Sequence, residues 1–196
     1  MGNEFFVVTQ TYTDYATALR DDNQMITRRC RACGAVFSDR RFDRFRVHFS
    51  GKKEGDFYFA PICIIVSEKF LNVLYENNIT GFSTQEINCT GWYDKRGKSA
   101  AMDSSKYKEL VVNGRTGYLQ DKNGEEVPRC PECGAFKSNP YKRINGLSVG
   151  DEWNGSDVFY FKNWEGPLIV TRRTKELLES NKLKNVKCTA LEEYIL

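Results

Sequence analysis

The sequence is poor in several things that catalysis and membrane insertion need. Histidine occurs once, at position 48, which removes multi-histidine metal sites and leaves little room for imidazole acid–base chemistry. The longest apolar run, Ala60 to Val66, is seven residues and contains a proline, whereas a helical membrane span needs roughly 20. No GxxxxGK[ST] loop and no GxGxxG turn is present, so no phosphate-cradling motif is on offer. Acidic residues are scattered, and no pair stands at a spacing that suggests acid–base work. Charge of one sign is also lacking: 29 Lys+Arg against 26 Asp+Glu leaves +3, too little to mark a general polyanion binder. The opening MGNEFFVVTQ has no basic region followed by an apolar one, and Phe6 stands where a myristoylation signal at Gly2 favours Ser or Thr. The expectation is a cytoplasmic protein without a membrane partner.

What the chain does have is material for a core and a repeated pattern. Of its 196 residues 40% are apolar, with 13 Phe and 10 Tyr, ample for one large or two small domains. Cys30-Arg31-Ala32-Cys33-Gly34-Ala35 recurs as Cys130-Pro131-Glu132-Cys133-Gly134-Ala135, an offset of 100. Phe57-Tyr58-Phe59 recurs at Phe159, an offset of 102, and Ile64-Ile65-Val66-Ser67 as Leu168-Ile169-Val170-Thr171, an offset of 104. Leu74, Asn77 and Ile79 match Leu178, Asn181 and Leu183, and Phe6-Val7-Val8 has a counterpart in Leu110-Val111-Val112. Ordered matches at a nearly constant offset are the signature of an internal repeat. The reading is α+β: two similar β-rich repeats, residues 1–97 and 98–196, each with one main helix. The two are related by a pseudo-twofold axis within one compact body.

Each unit reads coarsely as strands, a helix and a closing strand. Phe5 to Thr9 and Leu110 to Val112 lead toward the cysteines, and Phe45 to Phe49 alternates apolar and polar residues as a half-buried strand does. Ser67 and Thr171 are N-caps, because a hydroxyl can accept from an unpaired first-turn amide. Their helices run to about Asn77 and Asn181, and Gly81 to Ile87 and Val186 to Leu191 close the copies. Asp94 to Ser105 is the linker. Asn113-Gly114 and Asn123-Gly124 suggest hairpin turns, since both residue types tolerate positive φ.

The cysteines carry the chemistry. In CxxC, two intervening residues let both sulfurs reach one ion about 2.3 Å away, and the following glycine takes a positive φ without a Cβ clash. One knuckle supplies two ligands and Zn²⁺ takes four. The prediction is a zinc-ribbon-like tetrahedral site of Cys30, Cys33, Cys130 and Cys133, one structural Zn²⁺ per chain, bridging the repeats. With all positions filled by protein, no metal-bound water remains to be activated, so catalytic residues are not expected. A thioredoxin-like redox pair, a zinc shared between two chains, and a chain that has lost its metal are the competing readings. Cys63 suits a buried small hydrophobe; Cys89 and Cys188 receive no role.

Arg28, Arg29, Arg31, Arg40, Arg41, Arg44 and Arg46, against Asp39 and Asp43, form the strong charge cluster. It suits a surface for phosphates or an acidic partner, or compensation of the thiolates on a solvated strand edge. Phe42 and Phe45 interleave with it, as aromatics do in nucleic-acid binders. His48 falls on the face opposite Phe45, Val47 and Phe49 and is expected to face solvent. Trp92, Trp153 and Trp164 suit sheet packing, or interface anchoring.

The paired CxxCG knuckles, the Tyr-x-x-Leu-x-Val pattern of Tyr107, Leu110 and Val112, and the segment IIVSEKFLNVLYENNITGF together resemble the bacterial double-CxxCG proteins. That family was first noticed in myxobacteria and includes immunity proteins of contact-delivered toxins. In the second copy Arg173 and Thr174 replace Lys69 and Phe70, and Asn185 replaces Gly81. The resemblance implies a non-enzymatic immunity protein whose partner is a cognate protein toxin; separately, a monomer is the expectation. The alternative is a nucleic-acid-binding zinc ribbon using the Arg28–Arg46 cluster.

Overall fold

A computed structural model describes residues 4–11, 14–21, 25–41, 43–60, 63–136 and 143–196. Gly2 and Phe42, named above, and the proline of the Ala60–Val66 run, Pro61, lie outside them. The chain is mixed α+β and mostly strand. In order it forms β1 (Phe5–Thr9), β2 (Thr17–Arg20), β3 (Met25–Arg29), β4 (Val36–Arg40), β5 (Arg46–Ser50), β6 (Phe57–Ala60), β7 (Cys63–Ser67), α1 (Glu68–Glu76), β8 (Phe82–Glu86) and β9 (Asn88–Tyr93). It continues with β10 (Tyr107–Val112), β11 (Gly114–Thr116), β12 (Gln120–Asp121), β13 (Leu147–Ser148), β14 (Val158–Phe161), β15 (Trp164–Thr171), α2 (Arg172–Ser180) and β16 (Lys187–Ala190). No named strand falls in the linker between Tyr93 and Tyr107.

Each larger sheet draws strands from both halves of the chain. One has the order β6-β7-β10-β8 and the other β11-β14-β15-β1-β16. Lys108 lies opposite Val66 and Glu86; Phe6 lies opposite Val170 and Ala190. Phe6 therefore shares its ladder position with Lys108, and not with Leu110 as the sequence pattern suggested. The reason is packing: Val8 and Leu110, two residues on in each strand, both face the central core.

The alternation of β7 and β15 explains the layering. Every residue of β7 is buried, as expected of a strand covered on both faces. Ile64 and Val66 face a central cluster with Phe57, Phe70, Leu74, Leu110, Val158, Val170 and Leu178. Cys63 and Ile65 face a second cluster with Phe49, Tyr58, Trp92 and Tyr107. On β15, Leu168 and Val170 join the central cluster, and Ile169 joins a third with Leu119, Phe159 and Phe161.

The caps behave as predicted and do more. Ser67 Oγ accepts from the Phe70 amide at 3.1 Å and donates to Asp56 Oδ1 at 2.6 Å; Asp56 Oδ2 then accepts from the Lys184 amide, beyond α2, at 2.7 Å. Thr171 Oγ1 accepts from Thr174 N at 3.4 Å and donates to Asp157 at 3.1 Å, which accepts from the Thr80 amide, beyond α1, at 3.0 Å. Lys69 Nζ reaches the Asn181 carbonyl at 2.9 Å, and the Arg173 guanidinium reaches that of Asn77. The replacement of Lys69 by Arg173 thus keeps one task, capping the other helix's C-terminus. The replacement of Gly81 by Asn185 keeps another: both have positive φ, 94° and 62°.

Asn123-Gly124 forms the expected turn, with Gly124 at φ 83° and Asp121 N bonded to Glu125 O at 2.9 Å. Asn113-Gly114 does not. Both amides donate to the Gly81 carbonyl, at 2.8 and 2.9 Å, and the chain turns a corner from one sheet to the other. No helix among the described residues is long and apolar enough to cross a membrane.

Candidate metal centre

The two knuckles share a local geometry that follows from their sequence. Cys30 N donates to Ala35 O at 2.8 Å and Gly34 N to Cys30 O at 2.9 Å; Cys130 and Gly134 repeat both bonds at the same lengths. Gly34 and Gly134 have φ of 76° and 73°, a left-handed conformation that a side chain would strain. The turn folds the second cysteine of each pair back beside the first.

The fold then brings the pairs together. The Sγ atoms of Cys30, Cys33, Cys130 and Cys133 all lie within 4.8 Å of one another, and Cys33 Sγ is 3.6 Å from Cys133 Sγ. A tetrahedron with metal–sulfur distances of about 2.3 Å has sulfurs about 3.8 Å apart, so the four thiols fit a single tetrahedral ion. An all-thiolate set suits a soft or borderline cation and excludes Mg²⁺ and Ca²⁺, which select oxygen.

The surroundings of the two pairs differ. Cys130 is buried and Cys133 half-buried, whereas Cys33 is exposed. The second knuckle packs on the body: the Asn163 amide group donates to Gly134 O at 3.2 Å and accepts from Leu119 N at 2.9 Å. Arg129 stacks on the Tyr118 ring, 3.7 Å from its centroid. The first knuckle sits at the tip of the β3–β4 ribbon, a two-stranded sheet with no third strand.

Amide hydrogen bonds from Cys133 and Glu132 bring the Cys130 thiol down to about 7. At Cys133 the Ala135 amide acts the same way, but burial and the other three sulfurs outweigh it and push the thiol up to about 12. At Cys33 the Ala35 amide and the Cys133 sulfur lower the thiol, but burial and the Cys130 and Cys30 sulfurs outweigh them and raise it. A cation that takes the sulfurs as thiolates displaces the protons they carry.

The arginine cluster divides. Arg40 turns inward to the buried carboxylate of Glu109, stacks on Phe45 at 4.3 Å and donates to Gln85 at 3.1 Å. Arg28 pairs with Asp39 at 2.8 Å and Arg46 lies 3.6 Å from Asp21. Phe45 is 1% exposed, so it offers no stacking surface to a base. His48 is half-buried and bonded to Asp21 at 2.9 Å, not simply solvent-facing. Trp92 is buried, its indole N–H donating to Gly51 O at 2.7 Å. Cys63 is buried in the second core cluster. Burial pushes its thiol far up, with the Glu109 charge adding to the shift.

Glu109 escaped the sequence reading. It is 2% exposed and occupies the ladder position that Val7 holds in β1: Glu109 faces Ile65 as Val7 faces Ile169. Aligning β10 with β1 by that register places an acid in a core position. Compared with protein-family models and with curated proteins, the chain gives no match.

Proposed function

We propose that this chain is a bacterial immunity protein, a non-enzymatic binder that neutralises a cognate protein toxin in the cytoplasm. In this reading its two repeats, related by an approximate twofold axis, are clamped by one structural Zn²⁺. The observation that carries the zinc clamp is the convergence of four thiols from knuckles 100 residues apart. With four protein ligands no coordination position is left for substrate or water, so the ion contributes stability. Structural zinc sites of this kind supply about 10–16 kcal/mol of apparent binding energy. The toxin partner follows from the resemblance carried by the paired CxxCG knuckles and the IIVSEKFLNVLYENNITGF segment.

Expression of the neighbouring gene's product with and without this chain tests the proposal. The expected result is that the neighbour arrests growth alone and that growth returns on coexpression. A neighbour that is harmless alone, or that still kills when this chain is present, overturns it.

A further inference from the structure

We infer that the β3–β4 ribbon is the face on which this protein docks an acidic protein surface. The inference rests on the binder reading above and names the surface and the chemistry of the partner. From Met25 to Arg41 the ribbon carries five arginines against one aspartate, whereas the second knuckle's segment, Gln120 to Phe136, carries two basic residues against four acidic ones. The positive charge therefore runs along the ribbon, from Arg31 in the knuckle turn to Arg41 beyond the far end of the ladder.

The ribbon's internal pairing does not use that charge up. Arg28 is taken by Asp39 and Arg40 by Glu109. Arg29, Arg31 and Arg41 are exposed, and no carboxylate pairs with them among the described residues. The Arg29 guanidinium lies over the knuckle at Gly34, which leaves Arg31 and Arg41 for a partner.

Apolar exposure decides the class of partner. Ile26 is 49% and Val36 54% exposed, and Val36 lies opposite Arg29, whereas Ile26 lies opposite Asp39. Val36 thus lies beside arginine, and the acid opposite Ile26 is itself neutralised by Arg28. Arginine beside exposed aliphatics matches the composition of protein interfaces. A phosphate backbone has no use for the aliphatics, and Phe45, one of the two aromatics interleaved with the arginines, is buried. An isolated two-stranded ribbon is marginal by itself, and a docked partner would cover it.

The test uses the full-length, zinc-loaded chain and the purified product of the neighbouring gene. The double variant Arg31→Glu/Arg41→Glu is expected to raise Kd at least about 30-fold, because like charges are then juxtaposed across the interface, while zinc stays at one per chain. The variant Lys95→Glu/Lys98→Glu makes the same charge change at exposed linker positions and should alter Kd by less than about twofold. Unchanged binding by the double variant, with the wild type binding, overturns the ribbon as docking face and leaves the binder reading standing. Failure of the wild type to bind defeats both. Micromolar binding of duplex DNA or single-stranded RNA at about 50 mM salt that the double variant loses reassigns the ribbon to nucleic acid. Self-association of the wild type that the double variant loses, seen by light scattering, reassigns it to a second copy. Either result overturns the inference.

Discussion

The two knuckles have the same turn, the same hydrogen bonds and the same glycine conformation, yet they sit in opposite environments. The second is built into the body, with Cys130 1% exposed and Asn163 and Tyr118 bracing it. The first hangs at the tip of an arginine-rich ribbon tied to the body by the reach of Arg40 to Glu109. Local sequence determines the shape of a metal-binding turn, and tertiary surroundings determine whether that turn is an anchor or a presented surface. If a cation joins them, the anchored half holds the presented half in place.

The largest effect should come from breaking the joint. Cys130→Ser and Cys33→Ser differ widely in burial, but a tetrahedral ion needs both. Each is expected to lower the melting temperature by more than about 10 °C and to abolish one-to-one zinc binding. A mild Cys33→Ser in calorimetry would show that the exposed knuckle is not structurally coupled to the buried one.

Next is the ribbon's other tether. Burial raises the Glu109 carboxyl above its ordinary value, and Arg40 opposes that shift. An acid whose folded pKa exceeds its unfolded one binds more protons when folded, so its contribution to stability is full at low pH. That contribution falls as pH rises through the folded pKa. Arg40→Met removes the compensation. It should cost about 3 kcal/mol at neutral pH, where an uncompensated buried charge remains, and less near pH 4, where the carboxyl is protonated. Urea titrations at both pH values measure the difference; an equal cost at each would contradict it.

The helix latches sharpen the comparison further. Asp56 is 8% exposed and serves Ser67 and the Lys184 amide. Asp157 does the equivalent for Thr171 and Thr80 in a wetter setting. Asp56→Ala should cost about 2–3 kcal/mol and Asp157→Ala about 1 kcal/mol, because the groups left unpaired are more buried in the first case. Equal costs would mean that solvent does not distinguish the two sites. Smallest is the loss of the exposed helix C-cap contacts: Lys69→Ala and Arg173→Ala should each shift stability by less than about 0.5 kcal/mol.

Much of this was legible because it is local. CxxCG prescribes the knuckle turn, Ser67 and Thr171 announce their helices, and Asn77 and Asn181 end them. The closing strands β8 and β16 fall within the segments expected. What was hidden depends on distant partners. Periodicity identifies β1 and β10 as strands but does not reveal that each joins a sheet with strands from the other half of the chain. Glu109 reads as a polar residue in an alternating strand, and its burial depends on Arg40, 69 residues earlier. The exposure of both ribbon faces was equally invisible, since Met25–Arg29 has no apolar period to read.

The most direct test of a shared cation is X-ray absorption at the zinc edge on the purified chain with its metal content measured. The expected result is one zinc per chain with four sulfur neighbours at about 2.3 Å and no nitrogen or oxygen bound to it. Two sulfurs with lighter ligands, or a metal-free chain whose cysteines are joined as disulfides, would contradict it.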